Sequence, residues 1–255
     1  KKWSHQFSNI GTIVIDNSSA WRMEPEIPLI VPEINGHILN ETHQIISNPN
    51  CSTIQMVLAL KEIHQRLEID RIVVSTYQSV TGTGAAAVKQ MMDERNESVV
   101  NKVYPHKIDQ NCIPHGGDFL EDGYTTEEIK LVNETKKIFN SNKIKVTATV
   151  VRIPVIGGHS MSVNLQTKRP FKIRDIHEAL ELTPGVIIQN NNMDFEYPMP
   201  ITAHEKNEVF VGRIREDQTV ENGLNLWIVA DNLRKGAATN AVQIAEYLIK
   251  KNLIK

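Results

Sequence analysis

The 255-residue sequence has few cysteines, no long apolar run and little net charge, and each shortage excludes a class of protein. Its two cysteines, Cys51 and Cys112, are too few for a disulfide framework. No stretch reaches the roughly eighteen apolar residues of a membrane-spanning helix. The formal net charge of −2 does not favour nucleic acid or an anionic membrane as a partner. We therefore expect a reduced, cytoplasmic protein with no nucleic-acid or membrane partner.

What is present is ordinary for a globular chain of one large domain or two smaller ones, with 40% hydrophobic and 23% charged residues. The opening residues, KKWSHQFSNIG, lack the apolar core of a signal peptide, so none is expected. The chain has no initiator Met and soon enters the apolar, β-branched segment GTIVID. Because such a strand needs neighbours to pair with, we expect that an N-terminal portion is absent from this sequence.

Local patterns predict strands and helices mixed along the chain, which is typical of an α/β or α+β fold. Two short apolar pieces, PLIVPEIN and QIISNP, are further candidate strands. The predicted strands cover 10–16, 71–80 and 145–155, the extended segment HSMSVNLQTKRP, and the segments NEVFVGRIRED and GLNLWIVADN. The predicted helices cover 51–66, 85–97, 125–139, 172–182 and the closing segment NAVQIAEYLIK.

Cys51 stands at the predicted start of a helix, directly after the segment NPN at 48–50. A helix N-terminus carries free N–H groups and a partial positive charge. These features stabilise a thiolate and lower the thiol pKa below about 8.5. A buried structural cysteine is the alternative. The polar neighbours of Cys51 favour the nucleophile, and spacing alone leaves the two interpretations balanced.

A cysteine nucleophile needs a base, and His159 is the histidine with the most suggestive position. It follows a strand that ends in the glycine pair 157–158, where the imidazole has room. A plain loop histidine is the commoner outcome for such a position. Arg152 lies earlier in the same apolar segment, where an arginine either points to solvent or meets a carboxylate.

The segment TGTGAAA (81–87) lies between a predicted strand and a predicted helix and partly matches a dinucleotide-binding loop. The match is weak, because no acidic residue ends a second strand at the expected distance. A glycine-rich turn at a helix start can still receive a phosphate or an amide. We therefore interpret it as a cofactor contact rather than as the dinucleotide-binding loop.

A series of short blocks resembles the aspartate-semialdehyde dehydrogenase family, in the order of that family and over nearly the whole chain. The blocks are DNSSAWRM (16–23), PNCST (49–53), STYQSVTGTG (75–84), EEIKLVNETKKI (127–138), VRIPVIGGHS (151–160), FVGRIRED (210–217) and DNLRKGAATNAVQIAE (231–246). Each block is short, but together they are specific. The resemblance implies an NADP-dependent oxidoreductase of lysine, threonine, methionine and diaminopimelate biosynthesis. It implies reductive dephosphorylation of L-aspartyl 4-phosphate to L-aspartate 4-semialdehyde.

The resemblance also implies roles for individual residues. Cys51 matches the nucleophile that forms an acyl-thioester, and His159 matches the acid/base. Gln78 matches a glutamine that positions the substrate near the thiol. Arg152 matches the arginine that binds the substrate carboxylate, and Glu127 the acid that meets its amino group.

The remaining matches concern phosphate and cofactor. Arg22 and Lys130 match the basic pair that binds phosphate. Thr81, Gly82 and Asn232 match contacts to NADP. The partners implied are the small-molecule substrate, phosphate and a second copy of the chain, in a homodimer or a dimer of dimers; no metal is implied.

For the fold, the resemblance implies the remnant of a Rossmann-type NADP-binding domain and an α+β catalytic and dimerisation domain with a mixed sheet. The implied division is 1–50 for the end of the NADP-binding domain and 51–231 for the catalytic domain. Residues 232–255 are a helix that packs back on the first part. The family's opening phosphate loop has no counterpart here, so we expect this chain alone to bind NADP poorly.

Three other functions stay open at this point. A reductase of N-acetyl-glutamyl phosphate has the same Cys/His chemistry, but Glu127 and Arg152 argue for a free amino acid. A Cys/His hydrolase would need no nicotinamide. A non-catalytic subunit is a third interpretation, because of the expected missing segment.

Overall fold

The structure is a computed structural model that describes residues 1–254. It contains two sheets, and the larger one is mixed and has six strands. The strand order is β4-β3-β5-β8-β7-β6. Its strands are β3 (Ile69–Ser79), β4 (Lys145–Ile153), β5 (His159–Thr167), β6 (Val186–Ile188), β7 (Val209–Asp217) and β8 (Gly223–Ala230). The β3/β4 and β6/β7 pairs are parallel, and the other three pairs are antiparallel. The predicted mixed sheet is therefore confirmed.

One face of this sheet carries the main hydrophobic core. Three helices pack on that face: α3 (Cys51–Leu67), α5 (Thr126–Ile138) and α6 (Ile173–Glu181). A capping box formed by Thr125 and Glu128 starts α5, as its sequence predicts. The alternating side chains of β3 reach the other face, where Arg71, Val73 and Tyr77 are only partly buried. This second face of the sheet is therefore much less covered than the first.

The smaller sheet pairs β1 (Val14–Asp16) with β2 (Ile45–Ser47) in parallel. The closing helix α8 (Thr239–Lys250) packs against this sheet, because Ile244 and Leu248 share a cluster with Ile46. The N-terminal and C-terminal ends of the described chain thus lie together.

Some local predictions need correction. The strand predicted from residue 10 begins only at Val14, because a helix, α1 (Lys2–Ser8), and a turn at Gly11 with φ +85° come first. Part of PLIVPEIN forms α2 (Pro32–Asn35), because proline fits the first turn of a helix and the Asn35 side chain bonds the backbone of Leu29 and Val31.

The other helical segments are short or irregular. They are 3₁₀ turns at Gly36–Ile38 and Val80–Thr83, α4 (Ala85–Arg95), α7 (Pro200–Ala203) and a π-helix at Arg234–Ala238. Over residues 1–254, no helix combines the length and apolarity needed to cross a bilayer.

Candidate active site

A cleft of about 300 Å³ opens where the N-terminal part of the chain meets the six-stranded sheet. Eight of the ten site residues predicted from the sequence line it: Arg22, Cys51, Thr81, Gly82, Glu127, Lys130, Arg152 and Asn232. The other two, His159 and Gln78, are fully buried behind its wall. A larger cavity of about 600 Å³, between the segment 25–43 and the ends of α3 and α5, contains none of the ten. The fold therefore gathers side chains that lie far apart in sequence.

Cys51 is the first residue of α3 and is partly accessible from the cleft. The predicted lowering of its pKa is wrong for the ligand-free chain. Burial raises the pKa of the thiol to about 11, and Glu127 acts in the same direction. Arg152, the Ser52 backbone amide and Arg22 oppose this rise without overcoming it.

Asn50 shares the N–H groups of the helix start with the sulfur. Its side-chain oxygen accepts hydrogen bonds from the backbone N–H groups of Ser52, at 3.0 Å, and Thr53, at 3.4 Å. It is thus the N-cap of α3 and uses the donors that the sequence-based argument left free for sulfur. Its own amide donates to Glu127 Oε1 at 2.7 Å.

His159 begins β5, and Gly82 lies directly against it. A side chain on Gly82 would stand 2.8 Å from His159 Nε2 and 3.1 Å from Arg152 Nη1. The backbone N–H of Ser79 donates to His159 Nδ1 at 3.1 Å. Since a backbone amide can only donate, the neutral ring carries its proton on Nε2. Burial, and secondarily Arg152, hold the pKa of His159 well below its usual value.

Gln78 is the penultimate residue of β3 and pairs in register with Arg152 on β4. Its amide nitrogen donates to the hydroxyl of Ser52 at 2.8 Å. Its Oε1 and the Nε2 of His159 are both buried, and neither has a hydrogen-bond partner among the described residues. Gln78 Oε1 is an acceptor and His159 Nε2–H is a donor, so together they can bind a polar group.

Arg152 and Glu127 both line the cleft. Arg152 is 7% exposed, and no hydrogen bond or ion pair holds its guanidinium in the described part of the chain. Both oxygens of Glu127 are engaged, one by Asn50 and the other by Lys130 Nζ at 2.8 Å. Burial opposes ionisation of Glu127, but Lys130, Arg152 and Asn50 outweigh it and keep its pKa below the usual value.

Arg22 is held rigidly at the other end of the cleft. Its guanidinium donates to the carbonyls of Asn48 and Asn17, and it pairs with Glu134 at 3.1 Å. Two of its five N–H groups remain for a ligand. Lys137 Nζ donates to three carbonyls of the irregular segment 22–27, including that of Arg22 itself, and fixes this segment against α5.

Thr81 and Asn232 meet at the mouth of the cleft. The Thr81 hydroxyl donates to Asn232 Oδ1 at 2.9 Å. That bond leaves the amide nitrogen of Asn232 available as a donor. Gly82, beside them, contributes only backbone to this wall.

Three contributors were missed by the sequence analysis. Glu134 lies one turn beyond Lys130 on the same face of α5, so helical periodicity could have indicated it. It accepts from the Asn50 backbone N–H at 2.7 Å. Asn50 and the fully buried Lys235 carried no comparable signal. Lys235 Nζ bonds Glu33, Asn240 and Gln243.

Lys235 matters because it belongs to the π-helix Arg234–Ala238, which forms one wall of the site. A side chain on Gly236 would come within 3.0 Å of Cys51 Cβ. Insertions of this kind into helices are frequent at functional sites.

Two family models match the chain. "Semialdehyde dehydrogenase, NAD binding domain" matches residues 1–42, and "Semialdehyde dehydrogenase, dimerisation domain" matches residues 60–235. The chain is 51% identical to the aspartate-semialdehyde dehydrogenase of Aquifex aeolicus (strain VF5), over 100% of this chain and 77% of that protein. It is 47% identical to that of Bacillus subtilis (strain 168), over 96% and 74%.

A solved structure is similar along the same length. It is aspartate semialdehyde dehydrogenase II from Vibrio cholerae, complexed with ASA. The TM-score is 0.92 and the sequence identity 42%, over 98% of this chain and 76% of that one.

Proposed function

The chain belongs to the aspartate-semialdehyde dehydrogenase family, whose enzymes carry out reductive dephosphorylation with a nicotinamide cofactor, and on this basis we propose its reaction in detail. The substrate is L-aspartyl 4-phosphate, the product is L-aspartate 4-semialdehyde, and the cofactor is NADPH. The observation that carries the proposal is the single cleft where the Cys51 thiol faces Arg22, Lys130, Glu127 and Arg152.

The nucleophile in this proposal is Cys51. Its sulfur bonds the acyl carbon, the bond from that carbon to the phosphate oxygen breaks, and the thiol proton passes to the departing phosphate. The departing phosphate gains negative charge, which Arg22 and Lys130 stabilise. Gln78 positions the acyl group beside the sulfur.

Three residues of the chain would hold the cofactor, which when bound supplies the hydride that reduces the thioester. Asn232 offers a free amide donor, Thr81 fixes that amide, and Gly82 lines the cleft with backbone alone, because a side chain there would collide with His159 and Arg152. His159 then exchanges a proton with the oxygen of the thiohemiacetal through Nε2, since Nδ1 is occupied by Ser79. A kcat/KM for NADPH much above that for NADH supports the choice of NADP, and equal values would contradict it.

Recognition of a free amino acid rests on Arg152 and Glu127. The unpaired guanidinium of Arg152 can bind the α-carboxylate with two parallel hydrogen bonds. Glu127 meets the α-ammonium. An N-acetylated substrate has no ammonium for Glu127, so this pairing disfavours it. The match to an NAD-binding family model disfavours a Cys/His hydrolase, which needs no nicotinamide.

Two variants test the division of roles in the reverse, phosphate-consuming direction. Lys130→Ala raises the KM for phosphate far more than that for the semialdehyde, and Arg152→Ala does the opposite, because a contact made by one ligand affects that ligand's constant. Arg152→Lys does not restore activity, since an ammonium cannot replace the two parallel bonds. Equal effects on both ligands in both variants would refute the assignment, as would turnover that survives Cys51→Ala.

The assembly we propose is a homodimer, or a pair of such dimers, formed through the less covered face of the six-stranded sheet. The match to a dimerisation domain covers this sheet. The partly exposed Tyr77 and Trp227 lie on that face, with ring centroids 5.5 Å apart. We divide the chain into residues 1–50, 51–231 and 232–255, as the sequence predicts.

A further inference from the structure

Lys130 and Glu127 form an ion pair with each other, although the proposed function assigns them to two different parts of the substrate. They lie one turn apart on α5, with 2.8 Å between Lys130 Nζ and Glu127 Oε2. The Glu127 side chain is 10% exposed, and that of Lys130 is 31% exposed. The proposed function requires Glu127 to meet the substrate ammonium and Lys130 to meet the phosphate. Each Glu127 oxygen already accepts one hydrogen bond, Oε1 from Asn50 and Oε2 from Lys130, so a substrate ammonium meets a carboxylate that already has a cation beside it.

We propose that the substrate ammonium replaces the Lys130 ammonium at Glu127 Oε2, and that the displaced Lys130 turns to the phosphate. This inference rests on the proposed function and adds an order of events to it. One cation replaces another of equal charge, so the buried carboxylate is never left unpaired, which would be costly. Asn50 keeps its bond to Glu127 Oε1 throughout, so the carboxylate does not need to move.

The two partners suit this exchange because they differ in mobility. Glu127 is buried and held by Asn50, whereas Lys130 is partly exposed and has a flexible four-carbon side chain with three rotatable donors. Arg22, in contrast, is fixed by three contacts and stays in place. The phosphate site therefore has one fixed cation, Arg22, and one mobile cation, Lys130, which the substrate amino group releases from Glu127.

The consequence is coupling between two ends of the substrate. A ligand that brings an ammonium to Glu127 increases phosphate affinity, and phosphate increases the affinity for that ligand by the same factor. An N-acylated substrate brings no ammonium and leaves Lys130 on Glu127. The enzyme then rejects such a substrate at the phosphate site as well as at the amino site.

Isothermal titration with inorganic phosphate tests the exchange in the whole enzyme. Saturating L-2-aminobutyrate, which has the α-amino and α-carboxylate groups but no reactive carbonyl, should lower the Kd for phosphate at least about fivefold. Butyrate, which lacks the amino group, should leave it unchanged. Glu127→Gln should give tighter phosphate binding without any amine and should abolish the effect of L-2-aminobutyrate. Lys136→Ala, on the same helix but outside the cleft, is the control and should behave as wild type.

The outcomes separate this inference from the function on which it rests. If Lys130→Ala weakens phosphate binding and L-2-aminobutyrate binds, but does not change phosphate affinity in the wild type, the exchange is refuted and the roles stand. Lys130 would then remain on Glu127 while touching phosphate. If Lys130→Ala leaves phosphate binding unchanged, or if L-2-aminobutyrate does not bind, the proposed roles themselves are refuted and the exchange with them.

Discussion

At the residue scale, the surroundings of the Cys51 thiol determine its protonation state. With its pKa raised to about 11, the thiol is protonated at neutral pH. Thiols react with oxidants and alkylating agents as thiolates, so a thiol in this state reacts slowly with both. Part of the rise comes from Glu127, a residue in the proposed substrate site.

A first prediction follows for Glu127→Gln. Removing this negative charge should lower the pKa of the Cys51 thiol, while glutamine can still accept the hydrogen bond from Asn50. The pH dependence of alkylation by iodoacetamide measures the change, with Cys112→Ser as the background so that one thiol reacts. Glu121→Gln, at an exposed position, is the control. An unchanged midpoint in the Glu127 variant would contradict the prediction.

A second prediction concerns His159 and acid. The pKa of the buried ring lies well below the usual value of about 6.5, so the unfolded chain binds a proton first as pH falls. Because of this residue, the free energy of unfolding decreases as the pH falls below about 6.5, by up to about 1.4 kcal/mol per pH unit. Above about pH 6.5 the ring is neutral in both states, and the full stability is present. Urea denaturation from pH 5 to 8 should show a smaller acid loss in His159→Gln than in wild type. His64, whose pKa is also lowered mainly by burial, retains part of the slope in both proteins.

At the element scale, α5 carries three charged side chains of the site, and the π-helix forms one of its walls. Glu127, Lys130 and Glu134 recur along one face of α5, so one helix places all three. The π-helix is fixed differently. Its Lys235 is buried, and the ion pair with Glu33, at 2.6 Å, ties it to α2.

The third prediction is that Lys235→Met destabilises the fold by roughly 3–5 kcal/mol, because it removes a buried cation and leaves the largely enclosed carboxylate of Glu33, 15% exposed, without its partner. Lys235→Met combined with Glu33→Gln should recover part of that loss. Urea denaturation of the single and double variants measures both effects. The exposed Lys250→Met should stay within about 0.5 kcal/mol of wild type. A loss in Lys235→Met no larger than this would show that the buried pair is unimportant.

At the scale of the whole molecule, the proposed assembly uses the less covered sheet face. The fourth prediction is that Tyr77→Arg, which places a charge at the proposed interface, shifts the enzyme from dimer to monomer. Light scattering after size-exclusion chromatography measures this mass. Lys250→Glu, at the exposed end of α8 and away from this sheet, is a control with a changed charge and should remain dimeric. A dimeric Tyr77→Arg variant would exclude this face.

Most of the fold and the membership of the site could be predicted from sequence, but the hydrogen bonds within the site could not. Periodicity located α3 and β3, and the motifs indicated Cys51 and His159. His159 lies beside Ser79 because β3 and β5 are neighbours. The helix-start argument failed because burial of the Cys51 thiol, which only tertiary packing determines, outweighs the helix-start donors that the Asn50 side chain also uses. Likewise, Lys235 looks like a surface residue until tertiary packing encloses it.

The ten site residues named above come from one chain. If the proposed dimer keeps this cleft within each subunit, each copy works with its own catalytic groups. In genetic terms, a copy that has lost its cysteine would neither rescue nor silence the partner with which it assembles. Such a loss-of-function allele would be recessive at the level of the enzyme, and two differently inactivated copies would not complement each other.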